Sequence, residues 1–408
     1  MPAKVWTTMA RSGTCPLVET PFGAVTPQYG VCGFGDRPPR VAVRLGDHAL
    51  DLAALAEATG YELAPELAQP TLNAFMARGP RAWSQTHEWV CTCLQQDAVA
   101  RRLVRLTDVS PRLPIAVADY VDFYASEHHA GNVGRMFRPG SDPLPPNWKH
   151  LPLGYHGRSG TVVVSGTPII RPCGQHRPAG EATPVFGPTR RLDFEAEVGF
   201  VVGVPAGTPV PVAAAEEHIF GVCLVNDWSA RDIQAWEYRP LGPFLGKSFA
   251  TSMSAWILPL SALDAARVPA PPRDHTLLDY LADNPDRPAG LDLTLEVGLN
   301  ATVLARPPFA GMYYTFAQQL AHMTSNGATL RTGDLFASGT VSGAAPRQRG
   351  CLLELTWNGT QPVTLDDGRT RTFLEDGDEV IITATAPGPE GHHIALGEVA
   401  GSVAPAIC

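Results

Sequence analysis

The sequence lacks long apolar runs and clusters of basic residues. No segment approaches the roughly 20 apolar residues that a membrane helix needs, and residues 1–16 contain no apolar core of a secretory signal. The net charge is −9, and Lys and Arg are dispersed along the chain, which argues against nucleic-acid binding. Neither a P-loop nor a G-x-G-x-x-G motif is present. We therefore predict a cytoplasmic protein with no membrane or nucleic-acid partner.

The cysteines form neither a zinc-type spacing nor a C-x-x-C pair. Cys91 and Cys93 are too close in sequence to indicate a normal bridge. A chain of 408 residues can bury a core without disulfide bonds. Free thiols in a reducing cytoplasm are therefore expected. This expectation covers Cys15, Cys32, Cys91, Cys93, Cys173, Cys223, Cys351 and Cys408.

Two different patterns divide the chain. Strand-like segments broken by Gly and Pro fill residues 1–48, and apolar side chains recur at helical spacings over residues 50–106. Pro111 and Pro114 then interrupt the chain, which predicts a domain boundary at residue 114. Residues 115–408 contain short β-branched runs separated by turn residues, which is typical of all-β sandwiches and barrels. A helix is expected over residues 309–323.

An acidic ladder occupies residues 191–198. Asp193, Glu195 and Glu197 alternate with apolar residues, so all three carboxylates would lie on one face of a strand. Two interpretations follow from this pattern. The commoner one is a solvated strand face. The other makes Glu195 and Glu197 ligands of a hard cation, which prefers oxygen ligands.

Asp122 and His129 lie about two helical turns apart in the stretch DYVDFYASEHH. Asp122 is suited to capping a short helix or to binding a cation. His129 is a candidate general base, although a lone histidine is more often structural. His128 and His129 would point in different directions on a helix, so at most one of them is expected in a site.

The stretch NDWSARDIQAWEY carries polar side chains that step by four, three and four residues, namely Asp227, Arg231, Gln234 and Tyr238. This spacing predicts one shared helical face. Such a face suits either a surface Asp–Arg pair or a site for a metal and an oxygen-rich ligand. The apolar residues 222–225 that precede it favour a site.

Lys247 stands alone among apolar and Gly residues. This context indicates either a functional buried lysine or a side chain that reaches the surface. Tyr155 and Thr340 are Gly-flanked polar residues where the backbone could approach a ligand. Glu354 is a lone carboxylate in the apolar run 351–355, which we interpret as a strand, and it either faces water or partners a base.

Together these motifs resemble the fumarylacetoacetase (fumarylacetoacetate hydrolase) family over nearly the whole chain. The similarity is carried by the segments DYVDFY, NVGRMFRPG, PNWKHLPLGYHGR, VVVSGTPI, NDWSARDIQAWEY, PLGPFLGKSF, GDLFASGT and DGDEVIIT. It implies a mainly β fold, assembled as a homodimer. Residues 1–114 would form an SH3-like barrel domain and residues 115–408 a catalytic, mixed β-sandwich roll. The barrel departs from the helical pattern of residues 50–106.

The resemblance also implies roles for individual residues. His129 matches the catalytic base, and Glu354 matches the carboxylate that orients it. Calcium ligands are implied at Asp122, Glu195, Glu197 and Asp227, and a nearby magnesium ion at Lys247 and Thr251. Substrate contacts are implied at Tyr124, Arg138, Tyr155, Arg231, Gln234, Tyr238 and Thr340. Glu127 and His128 depart from the family pattern, and Asp193 matches no ligand.

The reaction that the resemblance implies is metal-dependent hydrolysis of a carbon–carbon bond in 4-fumarylacetoacetate. It yields fumarate and acetoacetate, in the last step of tyrosine and phenylalanine degradation. His129 would deprotonate water, and Arg231, Gln234 and Lys247 would stabilise negative charge. Two alternatives are a keto-acid lyase, decarboxylase or acylpyruvase on the same fold, and a non-catalytic metal- or ligand-binding relative. The candidate base with its partner Glu354 argues against the first, and the intact ligand set argues against the second.

Overall fold

The computed structural model describes residues 18–20 and 23–408. The expectations for residues 1–16 and for Cys15 concern positions outside this range. The described part has a mixed, β-rich fold with several sheets, which confirms the coarse fold prediction. No helix in this part is long and apolar enough to cross a membrane.

The N-terminal part contains three consecutive antiparallel strands, Gln28–Gly33, Arg40–Leu45 and His48–Asp51. The Asp51 side chain caps the helix that follows by accepting a hydrogen bond from the Ala54 amide at 2.9 Å. The helical pattern predicted for residues 50–106 is confirmed. Its helices are Leu52–Thr59, Ala64–Leu67, Asn73–Met76, Pro80–Leu94 and Asp97–Ala100.

One large sheet joins the two parts of the chain. Its strand Ile219–Asp227 pairs antiparallel with Ala196–Val202 and with Trp256–Pro259, and the latter pairs with Gln28–Gly33. The N-terminal strands therefore extend the sheet that carries the acidic ladder. The strand order is Val104–Arg105, His48–Asp51, Arg40–Leu45, Gln28–Gly33, Trp256–Pro259, Ile219–Asp227, Ala196–Val202, Leu335–Ala337, Tyr120–Phe123 and Gly154–His156. Val162–Val164, Thr251–Met253 and Ser110–Arg112 join beside this path.

A second sheet lies in the C-terminal part. Its strand Glu379–Pro387 alternates exposed and buried residues, and the buried ones belong to the same apolar core as Val198 and Phe200 of the large sheet. The second sheet contains Ile169–Ile170, Val399–Ala404, Glu379–Pro387, Thr294–Leu299, Thr302–Ala305 and His393–Ala395. Separate strand pairs are Val18–Thr20 with Gly23–Val25, Cys173–His176 with Val185–Pro188, Leu192–Asp193 with Ser229–Ala230, Arg267–Val268 with Gly290–Leu291, and Val363–Thr364 with Thr370–Arg371.

The helix predicted over residues 309–323 begins later than expected. Thr315 and Gln318 form a capping box, so the helix is Phe316–Thr324, and Phe309–Gly311 is only a 3₁₀ turn. The run 351–355 is also a helix rather than a strand. The other helices in this part are Glu127–Phe137, Ala215–His218, Arg231–Glu237 and Leu352–Leu355. Further 3₁₀ turns are Leu106–Asp108, Ser159–Thr161, Val212–Ala214, Leu260–Ala266, Asp279–Leu281, Pro346–Gln348 and Pro389–Gly391.

The expectation of free thiols is wrong for two cysteines. Cys173 and Cys408 form a disulfide bond, with their Cα atoms 6.0 Å apart. The bond ties the C-terminus to the hairpin Cys173–His176/Val185–Pro188, a pairing across 235 residues that sequence spacing does not reveal. Cys32, Cys223 and Cys351 are buried free thiols.

Candidate active site and metal centre

Four carboxylates, three of them on strands of the large sheet and one in a strand break, converge at one site. Asp122 lies in strand Tyr120–Phe123, Glu197 in Ala196–Val202, and Asp227 at the end of Ile219–Asp227. Glu195 occupies the short break before Ala196. Each residue offers an oxygen within 4.8 Å of the others, and none is more than 5% exposed. The solvated-face interpretation of the ladder is therefore wrong.

The structure also corrects two local predictions. Asp122 does not cap a helix, because it is a strand residue and Ser126 caps Glu127–Phe137 by accepting from the His129 amide at 3.2 Å. Asp227 does not share a helical face with Arg231, because the strand continues through Asp227 and the helix begins at Arg231. The step of four residues instead spans the end of one strand and the short strand Ser229–Ala230.

The cluster has more negative charge than its neighbours neutralise. Among the described residues, neither oxygen of Glu197 nor Oδ1 of Asp122 meets a hydrogen-bond donor. Burial, and then repulsion from Asp122, raises the pKa of Glu197 well above its ordinary value. Burial and Asp227 likewise raise the pKa of Asp122. Without a cation, this pair is therefore favoured to retain a proton.

Two buried cations balance the other side of the cluster. Lys247, which does not reach the surface, places Nζ 2.5 Å from Oε2 of Glu195 and 2.5 Å from Oδ2 of Asp227. Arg231 Nη1 lies 2.7 Å from Oε1 of Glu195. Burial alone would raise the pKa of Glu195, but Lys247 and Arg231 hold it below its ordinary value. Glu195 is therefore ionised, and the unpaired oxygens lie on Asp122 and Glu197.

These residues fit a hard divalent cation. Four carboxylates face two cationic side chains, one of which also pairs with Asp193, so a divalent ion would offset most of the remaining negative charge. The orphaned oxygens of Glu197 and Asp122 supply ligand atoms that no protein group uses. Thr251 lies beside them, with Oγ1 3.4 Å from Oδ1 of Asp227.

A second buried cluster contains His129 and Glu354. Nδ1 of His129 is 2.6 Å from Oε2 of Glu354, and these side chains are 4% and 0% exposed. The short contact directs the ring and leaves Nε2 as the nitrogen available for proton transfer. Burial alone would raise the pKa of Glu354, but the nearby His129 lowers it to about 2. His129 also lowers the pKa of Glu195, so the two clusters are neighbours.

Sequence reasoning missed the other groups that hold Glu354. Asn132 Nδ2 donates to Oε1 at 2.7 Å, and Ser342 Oγ donates to Oε2 at 2.7 Å. The Cys351 thiol donates to Oε2 at 3.3 Å. Asn132 could have been found, because it lies three residues after His129 on the same helix face. Ser342 had no such signal, since it is brought in by a distant loop.

Some of the residues expected to contact the substrate lie against these two clusters, and others lie farther away. Tyr155 donates its hydroxyl to Oδ2 of Asp227 at 2.8 Å. The Tyr124 ring packs edge-on to His129 with centroids 5.3 Å apart. Thr340 Oγ1 is buried with no partner among the described residues. Gln234 accepts from Arg231 Nη1 at 3.2 Å.

Arg138 and Tyr238 are less closely tied to the site. Arg138 donates to the Pro143 carbonyl at 2.7 Å, and its charge acts on the Tyr124 phenol. Tyr238 ends the helix Arg231–Glu237 and stacks against the guanidinium of Arg239. No described contact joins Tyr238 to the acidic cluster.

A cavity of about 370 Å³ opens beside the cluster. Tyr155, Asp227, Lys247 and Thr251 line it together with Tyr120 and Arg158. Asp227, one of the four carboxylates, therefore borders a space large enough for a small polar molecule.

The fold and these groups define an enzyme in which an acidic cluster able to hold a divalent cation adjoins a buried His–Glu pair. The family model described as "Fumarylacetoacetate (FAA) hydrolase C-terminal" matches residues 119–403, and "Fumarylacetoacetase N-terminal" matches residues 24–114. Fumarylacetoacetase of Homo sapiens is 44% identical over 420 residues, covering 98% of each chain. The chain belongs to the fumarylacetoacetate hydrolase family.

Solved structures with lower identity share the fold. A fumarylacetoacetate hydrolase from Exiguobacterium antarcticum superimposes with a TM-score of 0.55 at 19% identity, covering 93% of this chain and 100% of that one. A maleylpyruvate hydrolase from Sphingobium sp. SYK-6, in complex with manganese(II) and pyruvate, gives 0.52 at 16% identity, with coverage of 93% and 100%.

Proposed function

We propose that this enzyme hydrolyses a carbon–carbon bond of 4-fumarylacetoacetate and releases fumarate and acetoacetate, the last step of tyrosine and phenylalanine degradation. The observation that carries this proposal is the buried His129–Glu354 pair, 2.6 Å apart, beside the acidic cluster. The 44% identity to a fumarylacetoacetase over nearly the full chain supports the same substrate.

Asp122, Glu195, Glu197 and Asp227 would hold a divalent cation, for which we propose Ca²⁺. Lys247 and Thr251 adjoin it and would interact with a nearby Mg²⁺. A bound divalent cation supplies Lewis-acid polarisation of the substrate oxygens. The oxygen-only ligand set favours such hard cations over metals that prefer nitrogen or sulfur.

His129 is the proposed general base. Glu354 holds Nδ1 and stabilises the imidazolium that forms, so Nε2 can take a proton from water. The hydroxide attacks the carbonyl next to the fumaryl group, and the carbon–carbon bond then breaks to release acetoacetate as its enolate. Glu354 stays ionised throughout, because its pKa is held at about 2.

Arg231, Gln234 and Lys247 are the proposed groups that stabilise developing negative charge. Arg231 Nη2 is buried and has no partner among the described residues, so it retains a donor for the substrate. Lys247 uses two of its three donors on Glu195 and Asp227. Removal of one such donor typically costs about 3–4 kcal/mol of transition-state stabilisation.

The remaining polar residues would fix the ends of the dicarboxylate substrate. We assign this role to Tyr124, Arg138, Tyr155, Tyr238 and Thr340. The unpartnered Thr340 hydroxyl and the Tyr124 phenol beside His129 support it. Arg138 supplies the positive charge that a substrate carboxylate needs.

At the level of the whole chain, we propose an SH3-like barrel domain over residues 1–114 and a catalytic β-sandwich roll over residues 115–408. We also propose a cytoplasmic homodimer. The exposed apolar side chains of Leu241, Phe244 and Leu245 support a self-association surface, which light scattering on the purified protein would test.

Product analysis tests the proposed reaction. Purified protein is incubated with 4-fumarylacetoacetate in the presence of Ca²⁺ or Mg²⁺, and the products are identified by NMR. Equal amounts of fumarate and acetoacetate are expected, with loss of turnover in a chelator. Release of carbon dioxide, or an isomerised substrate, would instead identify a decarboxylase or isomerase, and unchanged substrate would identify a non-catalytic relative.

A further inference from the structure

Asp193 is a fully buried carboxylate that the cation and the base do not account for. It lies in the short strand Leu192–Asp193, two residues before Glu195, and its exposure is 0%. An isolated buried carboxylate is costly unless several donors satisfy it. Apart from the adjacent Phe194 amide, which donates to Oδ1 at 2.9 Å, its donors come from two different parts of the active site.

The first donor is the Arg231 guanidinium. Oδ2 of Asp193 accepts from Arg231 Nε at 2.8 Å, while Nη1 lies 2.7 Å from Glu195. These contacts hold two edges of a planar group, so the guanidinium cannot rotate freely. They leave Nη2 as the buried donor without a described partner. Asp193 and Glu195 together therefore restrict where that donor points.

The other donors are the first two amides of the helix Leu352–Leu355. Oδ1 of Asp193 accepts from the Leu352 amide at 2.7 Å, and Oδ2 accepts from the Leu353 amide at 2.9 Å. Cys351, at the N-cap position, makes no side-chain cap. Asp193 thus supplies the cap from a distant strand. The next residue along this helix is Glu354, the partner of His129.

We propose that Asp193 is a positioning residue that sets both the Arg231 guanidinium and the helix that carries Glu354. A single carboxylate thereby fixes the position of Arg231, which stabilises negative charge, relative to Glu354, which orients His129. Its effect on turnover rests on the proposed function, whereas its effect on the His129–Glu354 contact does not.

Asp193→Asn tests the proposal. The amide keeps one carbonyl oxygen but turns an NH₂ group towards N–H donors, so Arg231 or the Leu352–Leu355 helix must shift. We expect kcat to fall about 10–100-fold, the usual effect of removing a group that orients a catalytic residue. Ca²⁺ affinity, measured by calorimetry, should fall by no more than the roughly 10–100-fold that outer-shell changes cause, because the four carboxylates remain.

A spectroscopic reading separates positioning from general stability. The short contact between His129 Nδ1 and Glu354 predicts a far-downfield proton signal, which ¹⁵N-histidine labelling assigns and His129→Ala removes. The signal should move or broaden in Asp193→Asn. The matched control is Asp378→Asn. Asp378 is also buried and accepts from Arg371 Nε and the Glu375 amide, both at 2.8 Å. This control should leave the signal and kcat unchanged.

A second pair of variants keeps the test decisive if Asp193→Asn does not fold. Leu352→Pro removes the amide that Asp193 accepts from, at the first helical position, where proline is tolerated. Leu352→Ala loses the side chain but keeps that amide. The downfield signal and kcat should change more in the proline variant than in the alanine variant.

An unchanged signal in folded Asp193→Asn overturns the proposal, whatever the activity. An equal change in Leu352→Pro and Leu352→Ala overturns it as well. Failure of the proposed function is distinguishable, because wild-type protein would then leave 4-fumarylacetoacetate intact while the signal still responded to Asp193→Asn.

Discussion

His129 has one ring nitrogen committed to Glu354 and one left for a water molecule. His129→Ala removes the base but leaves the acidic cluster and its cationic partners untouched. We expect turnover to fall by about 10²–10⁴-fold, with an unchanged circular dichroism spectrum and unchanged Ca²⁺ affinity. Steady-state kinetics and calorimetry check both expectations. Near-wild-type hydrolysis by the folded variant would remove His129 from the role of base.

The protonation of Glu354 makes a predictable contribution to the pH dependence of the free energy of unfolding. Burial alone would raise its pKa, but the charge and hydrogen bond of His129, with Asn132 and Ser342, lower it to about 2 from 4.5. Because the folded pKa is the lower one, ionised Glu354 stabilises the fold above about pH 4.5, and this contribution is lost as the pH falls towards 2. As an upper bound it is about 3 kcal/mol.

Glu354→Gln should therefore unfold more easily than wild type near neutral pH, by up to about 3 kcal/mol. The difference should narrow as the pH falls from about 4.5 towards 2, since wild-type Glu354 then becomes neutral too. Urea denaturation at several pH values measures it. A difference that stays constant over this range would contradict the assignment of an ionised, buried Glu354.

Glu197 is the ligand whose two oxygens have no described hydrogen-bond partner. Glu197→Gln removes a charge from the cluster, so Ca²⁺ affinity should fall. The loss should exceed the roughly 10–100-fold that follows mutation of a group that only orients a metal ligand. The metal-free variant should be at least as stable as metal-free wild type, because buried repulsion with Asp122 is relieved. Calorimetry and thermal unfolding measure these effects. Exposed Glu375→Gln is the control, and unchanged affinity in Glu197→Gln would exclude this metal centre.

At the scale of elements, the helix Glu127–Phe137 carries both His129 and Asn132, so its placement decides the base geometry. Gly134 faces a neighbouring backbone closely: an added Cβ would lie 1.8 Å from the Pro143 carbonyl oxygen. At Gly131 the nearest atom is the flexible Arg135 guanidinium, 3.5 Å away. The two glycines therefore form a matched pair on one helix.

Gly134→Ala should push the helix away from Pro143, reducing both stability, by about 1–3 kcal/mol, and kcat. Gly131→Ala should stabilise by about 0.5–1 kcal/mol, because alanine is the better helix former, and should keep kcat. Thermal unfolding and kinetics compare the two. Equal changes in thermal stability and kcat in the two variants would show that the position of this helix does not control the activity of His129.

Element boundaries were predictable where local signals are strong. The apolar spacing over residues 50–106 predicted helices that the structure contains. The helix begins at Phe316 because Thr315 and Gln318 form a capping box, a signal that the sequence prediction of a helix from residue 309 did not use. Glu354 was assigned to a strand because its neighbours are apolar. Its helix is only four residues long, and its first two amides are satisfied by Asp193, 159 residues or more away.

On the scale of the whole molecule, the acidic cluster depends on pairings that span the chain. Strand Tyr120–Phe123 pairs with Leu335–Ala337. The latter pairs with Ala196–Val202, which in turn pairs with Ile219–Asp227. The sequence alone made Glu195 and Glu197 ambiguous, and the family resemblance was needed to group them with Asp122 and Asp227. Period-two patterns show which side chains share a face, but they do not show which strands become neighbours or whether that face is covered.

Hydrolysis in heavy-oxygen water tests the central claim most directly, since water activation by His129 separates this enzyme from a lyase on the same fold. Purified protein with Ca²⁺ or Mg²⁺ is given 4-fumarylacetoacetate, and the products are analysed by mass spectrometry. The label should enter the newly formed carboxylate of fumarate at the rate of turnover, and not the acetoacetate carboxylate. No reaction is expected in chelator, and turnover in His129→Ala should be about 10²–10⁴-fold lower. Products without label in fumarate, or full turnover in His129→Ala, would contradict the mechanism.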